Sequence, residues 1–233
     1  MKHEVKNPAE RLIIALDYGT AAEALHLVGS MNGEVSVFKI GLQLYTAAGP
    51  EIVRAVAASG AKIFLDLKLH DIPNTVSKAV AAARELGVSM LTLHLSGGAR
   101  MIEAAVSAAG EDLLLLGVTV LTSSDDETLR ETGVMGAVEE QTVRLAKLGV
   151  TAGIRGLVAS PHELRSLRAA VGDQITIVTP GVRPAWAAAD DQKRFTTPAE
   201  ALRNSADYLV IGRPVTANRE PVEALRRIIR EIA

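Results

Sequence analysis

Short apolar runs rich in β-formers alternate along the chain with Ala-rich stretches whose apolar positions recur at helical spacing. The pattern predicts strands over 12–16, 35–40, 62–67, 90–95, 113–120, 156–159, 175–179 and 208–211. Between them it predicts helices over 21–31, 52–58, 75–86, 99–109, 138–148, 161–170, 198–204 and 221–232. Ser160 before Pro161 and Thr197 before Pro198 each read as an N-cap followed by proline at the first helical position. Gly60, Gly87, Gly110, Gly149 and Gly172 fall just past helical runs, where a left-handed C-cap favours glycine. Strand–helix alternation implies a parallel sheet, and about eight such units imply an α/β fold, a (β/α)8 TIM barrel. With no linker-like segment, 1–233 is expected to form one domain. Two long connections, 122–136 and 180–196, follow strands and so belong to the C-terminal face, where such barrels carry their chemistry.

Residue alternation puts charge on that face. Side chains two apart on a strand share a side. Ile13, Ala15 and Asp17 share one face, as do Val35, Val37 and Lys39, and Phe64, Asp66 and Lys68. Apolar residues ending in a charged one describe a packed interior opening into a polar mouth, where Asp17, Lys39, Asp66 and Lys68 are expected to converge. By the same count Leu209, Ile211 and Arg213 share a face in strand eight, with Gly212 admitting close backbone approach. The stretch Asp66-Leu67-Lys68-Leu69-His70-Asp71 sets two carboxylates and an ammonium around a strand end, costly to desolvate unless they pair. An ion-pair network on a barrel rim accounts for these charges alone; the other strand ends shift the weight to chemistry. Gly212-Arg213 suits a phosphate grip of the kind barrels build after their last two strands, with helix-start N–H groups and a forked guanidinium. Thr179-Pro180-Gly181-Val182-Arg183-Pro184 opens the last long loop. That loop reads either as a solvated polar segment or as a phosphate-gripping lid, with Arg183 and Gln192 reaching in and Trp186 as its anchor.

Composition narrows the classes. Hydrophobic residues make up 48% of the chain and aromatics only 3%, which suits an Ala/Leu/Val core of helices on a sheet. A net charge of −2, scattered along the chain, offers no nucleic-acid surface. The absence of cysteine excludes disulfides, thiolate nucleophiles and zinc–thiolate sites. The opening residues carry no apolar signal-peptide core. The richest apolar run, 113–121, is far shorter than the roughly 20 residues of a bilayer crossing. A cytoplasmic protein without membrane association is therefore expected.

From Leu16-Asp17 to Ile211-Gly212-Arg213 the chain resembles the orotidine 5′-phosphate decarboxylase family. Leu65-Asp66-Leu67-Lys68-Leu69-His70-Asp71-Ile72-Pro73-Asn74-Thr75 carries the resemblance most specifically. Phe38-Lys39-Ile40-Gly41, Val118-Thr119-Val120-Leu121-Thr122-Ser123, Thr179 to Pro184, and Asp191-Gln192-Lys193-Arg194 support it. The resemblance implies conversion of orotidine monophosphate to UMP and CO2 without cofactor or metal, on a homodimer whose subunits share their active sites. Lys39, Asp66, Lys68 and Asp71 would form an alternating charge network, Asp71 entering the neighbouring subunit's site. Lys68 would protonate the ring carbon that loses CO2. Asp17 and Lys39 would hold ribose hydroxyls with help from Thr75 across the interface, and Thr122 would read the pyrimidine edge. Pro180 and Gln192 would line the lid, while Arg183, Gly212 and Arg213 would take the phosphate.

That chemistry needs no imidazole, so His70 and His94, the latter on strand four with Thr92, read as structural. Leu95-Ser96 before Gly97-Gly98 depart from the smaller residues of the family pattern. Magnesium-dependent sugar-phosphate decarboxylases or aldolases on the same barrel resemble this signature too, but with an acidic ligand where Lys39 stands, and an ammonium there opposes Mg2+. A non-catalytic phosphate-binding barrel would keep Gly212-Arg213 without the complete charge network.

Overall fold

The computed structural model describes residues 7–187 and 196–233. A 3-10 turn, Pro8–Arg11, leads into β1 (Leu12–Ala15), α1 (Ala21–Ser30), β2 (Val37–Gly41), α2 (Leu42–Ala48) and α3 (Pro50–Ala57). There follow β3 (Lys62–Leu69), α4 (Pro73–Glu85), β4 (Met90–His94), α5 (Ala99–Ala109), β5 (Leu114–Val118), α6 (Asp126–Glu131) and α7 (Val138–Thr151). The chain continues through β6 (Gly156–Val158), α8 (Leu164–Val171), β7 (Thr176–Thr179), α9 (Pro198–Arg203), β8 (Tyr208–Ile211), α10 (Arg213–Thr216) and α11 (Pro221–Ile232). Among the described residues eight parallel strands pair in chain order, and β8 returns to β1 to close the expected (β/α)8 barrel. No helix among the described residues is long and apolar enough to cross a membrane.

The strand pleat sorts the apolar residues into two layers. Ile13, Ala15, Val37, Phe64, Met90, Leu116, Val178 and Val210 fill the barrel interior. Their neighbours in sequence, such as Leu12, Ile14, Phe38, Ile63 and Leu65, face the helices. The interior is a solid plug of apolar side chains rather than a pore, so the converging charges of β2 and β3 stand above it rather than within it.

Two of the parity expectations fail, for a common reason. Val35 packs in the outer layer because β2 begins only at Val37. In β8 it is Val210 that faces inward, beside Ile13, while Leu209 and Ile211 face the helices. Arg213 is the first residue of α10, so counting by twos across Gly212 does not apply. Extended geometry has to persist for the count to hold.

The cap at Thr197 forms as expected: its hydroxyl accepts the Glu200 N–H, and the Glu200 carboxylate accepts the Thr197 N–H. Ser160 caps no helix. A turn intervenes, α8 begins at Leu164, and the Glu163 carboxylate accepts the Ser160 N–H at 3.1 Å. The long connection after β5 contains the short helix α6, capped by Asp125, which accepts the Thr128 N–H at 2.9 Å.

Gly149 lies inside α7 rather than after it, and Gly153, at φ +98°, turns the chain beyond the helix. Leu95 explains the difference. Its side chain is fully buried between Gly117 on β5 and Gly149 on α7. A Cβ on Gly117 would approach the Leu95 side chain to 2.7 Å, and one on Gly149 to 2.8 Å, so retreat from one wall drives it into the other. The pair of glycines accommodates the full leucine side chain. Gly149→Ala should therefore lower the urea unfolding midpoint, overpacking costing about 1–3 kcal/mol. Helix propensity alone predicts the opposite sign by about 1 kcal/mol, so a raised midpoint would show that Leu95 is free to move.

Candidate active site

The ends of β1, β2 and β3 deliver the expected charges to one mouth. Ala15 lies in register with Lys39, and Lys39 with Phe64, so Asp17, Lys39 and Asp66 rise from neighbouring inward positions. The pairing of β3 with β4 then slips. Leu65 pairs with Leu91 but Leu69 with Leu93, leaving Asp66, Leu67 and Lys68 opposite Thr92 alone. Within this bulge Lys68 adopts φ +50°, a left-handed conformation that costs a non-glycine residue about 1–2 kcal/mol.

In this conformation the Lys68 Nζ lies 2.8 Å from Asp66 Oδ1 and 2.9 Å from Oδ2. Lys39 Nζ is 3.0 Å from Asp17 Oδ1 and 3.8 Å from Asp66 Oδ2. Four charges thus alternate across the mouth in the order Asp17, Lys39, Asp66, Lys68. The Lys39 and Asp66 side chains are only 12% and 14% exposed, so water screens them far less than Asp17 at 56%. Thr92, fully buried, accepts the Lys68 N–H at 2.9 Å and donates its hydroxyl to Asp66 Oδ1 at 2.9 Å. Sequence reasoning passed over it. Its signal was a hydroxyl at the inward parity of Met90 in an otherwise apolar run.

These charges line a cavity of about 350 Å3. Val118, Val120, Val158 and Val210 form apolar walls, and Thr122, Pro180, Arg183, Gly212 and Arg213 all reach it. The segment following Thr179 is pinned: Val182 bridges Thr196, and the Arg183 N–H donates to the Thr196 carbonyl at 3.0 Å. Trp186 packs against the outer core with the Arg227 guanidinium 4.6 Å above its ring, the anchoring role expected of it. A larger hollow of about 980 Å3 opens at the N-terminal end of the barrel, but the convergent charges are at the smaller one.

Two expected residues, Asp71 and Thr75, do not line this cavity. Asp71 is exposed, its carboxylate accepting the Ile72 N–H at 2.6 Å, and Thr75 is exposed in the first turn of α4. Neither lines the cavity of its own chain. Gln192, with 191–194 as a whole, lies outside the described residues.

Residues 10–228 match the family model described as Orotidine 5′-phosphate decarboxylase / HUMPS family. An orotidine 5′-phosphate decarboxylase from Syntrophotalea carbinolica is 50% identical over 232 residues, covering 96% of this chain and 95% of that one. Another from Opitutus terrae is 52% identical over 224 residues, covering 95% and 97% respectively. The crystal structure of orotidine 5′-phosphate decarboxylase from Lactobacillus acidophilus superposes with a TM-score of 0.83 at 36% identity, covering 96% of this chain and 99% of that one.

His94, the last residue of β4, has its ring centroid 5.5 Å from that of His70. Burial pushes its imidazole below the ordinary value of 6.5; positive charge on His70 and Lys68 adds to this, and Asp66 opposes it. The unfolded chain therefore takes up this proton more readily than the folded one, and stability is lost as pH falls below 6.5. His94→Gln should flatten the fall in melting temperature on titrating downward from neutral pH. An unchanged slope would place the acid sensitivity elsewhere.

Proposed function

The chain belongs to the orotidine 5′-phosphate decarboxylase / HUMPS family, and from that membership we propose how its geometry serves the reaction. The protein decarboxylates orotidine 5′-monophosphate to UMP and CO2, completing UMP synthesis. In our reading the whole chain acts as one catalytic domain in the cytoplasm. Loss of CO2 from C6 of the pyrimidine leaves an electron pair in an in-plane orbital that the ring cannot delocalise. Stabilisation has to come from a fixed positive charge in a site with little water. Lys68 supplies it: the observation that carries this reading is its amine, 2.8 Å from Asp66, above an apolar plug at the cavity floor. The same amine then delivers its proton to C6 as general acid.

The remaining lining residues fall into roles by chemistry. Arg183 and Arg213, with the backbone at Gly212, suit the phosphate dianion. Asp17 and Lys39 suit ribose hydroxyls, Thr122 the polar pyrimidine edge, and Pro180 the base of a lid to which Gln192 would add. Phosphate binding far from C6 supplies energy for organising the reacting end. Asp71 and Thr75 would enter the site of a second subunit in a homodimer. Their exposure beside Ile72, a large apolar side chain left 65% exposed, supports that arrangement.

The family's double description admits a magnesium-dependent sugar-phosphate enzyme, and Lys39 weighs against it. Its amine lies 3.0 Å from Asp17 and 3.8 Å from Asp66, at the carboxylate oxygens a divalent cation would require.

Purified protein should bleach the pyrimidine absorbance of orotidine monophosphate, with a rate unchanged by EDTA; a chelator-sensitive rate would revive the metal-dependent alternative. Lys68→Ala should abolish turnover with unaltered circular dichroism, and residual turnover at the parental rate would refute the proton-donor role. Arg213→Ala should raise KM about tenfold to a hundredfold, the loss of one charge-assisted contact being about 1.5–3 kcal/mol. Inactive Lys68→Ala and Asp71→Ala proteins, mixed and allowed to exchange subunits, should regain activity in the site that combines their intact halves. Failure to regain it, with light scattering showing monomers, would remove Asp71 from the mechanism.

A further inference from the structure

We propose that Thr92 is the positioning residue that presets Lys68, a single hydroxyl holding both ends of that lysine. The proposal rests on the reading of Lys68 as the proton donor. The bulge in β3 takes the Lys68 N–H out of the regular ladder, with three residues facing one. Thr92 Oγ1 accepts that N–H at 2.9 Å, so the left-handed backbone keeps a partner that extended pairing would otherwise provide. The same hydroxyl donates to Asp66 Oδ1 at 2.9 Å, the oxygen that also receives the Lys68 amine at 2.8 Å. Backbone N–H, hydroxyl, carboxylate and ammonium thereby close a ring that begins and ends on one residue.

Each feature of Thr92 suits this work. A hydroxyl has one proton to give and lone pairs to receive, so donating to Asp66 while accepting from Lys68 fixes its direction. The β-branch restricts its χ1 rotation. Full burial keeps water from substituting for it. Thr92 does not line the cavity, so it touches substrate only through Asp66 and Lys68. Its removal should leave binding nearly intact and misplace the reacting amine.

Thr92→Val keeps the shape and deletes the hydroxyl, whereas Thr92→Ser keeps the hydroxyl and deletes the methyl. Thr92→Val should lower kcat about tenfold to a hundredfold with KM for orotidine monophosphate within about threefold of the parent. Thr92→Ser should restore kcat to within about threefold of the parent. By NMR hydrogen exchange the Lys68 amide should be protected in the parent and in Thr92→Ser, and unprotected in Thr92→Val. Parental kcat in Thr92→Val, an equal loss in Thr92→Ser, or a fast-exchanging Lys68 amide in the parent would each overturn the proposal. Should Thr92→Val fail to fold, the parent and Thr92→Ser measurements decide. A parent that does not turn over orotidine monophosphate would defeat the proposed function instead, and the amide readout would still report whether Thr92 holds the lysine backbone.

Discussion

The Asp66 carboxylate is the constraint on which the rest of the site depends. It receives the Lys68 amine on both oxygens, the Thr92 hydroxyl on one, and the Lys39 amine from farther off on the other. A carboxylate this deeply placed persists only where donors surround it, since an unpaired buried charge costs several kcal/mol, about 3–5 when one partner of a pair is lost. The reverse dependence is as strong. Lys39 and Lys68 come from different strands and would repel each other across the mouth if no anion stood between them. Three neighbouring strands thus have their ends held in common by one ionised group.

The barrel makes such an arrangement affordable in structural terms. Because Ile13, Val37, Phe64, Val178 and their neighbours fill the interior, the polar residues stand on a floor that does not yield. Lys39, Asp66 and Lys68 are on strands, while Arg183 and Arg213, the proposed phosphate ligands, are on the connections after β7 and β8. The first of these connections is itself braced, by the Val182–Thr196 bridge at its base and by Trp186 under Arg227.

Much of this was legible from alternation alone. Parity along β2 and β3 places Lys39 and Asp66 at one mouth because those strands stay in regular register as far as these residues, and Asp17 follows two residues past the end of β1. Where extended geometry stops, legibility stops. Arg213 reaches the cavity from a helix start, Ser160 is followed by a turn, and the bulge that brings the Lys68 amine onto Asp66 leaves no mark in the residue pattern. Thr92 escaped notice because its partners lie 24 and 26 residues away in sequence. Asp71 and Thr75 line no part of their own chain's cavity, and the place proposed for them is in the site of a second subunit.

Leu95 and its two flanking glycines carry a different kind of consequence. None of the three positions has a meaning by itself: side chains at 117 and 149 are excluded by the leucine, and the leucine is admitted only by their absence. In a library of variants these alleles would show sign epistasis, with a smaller residue at 95 turning a harmful alanine at 149 into a tolerated or favourable one. Any substitution path through this corner of the barrel has a permitted order, in which leucine at 95 is tolerated only while positions 117 and 149 carry no side chain.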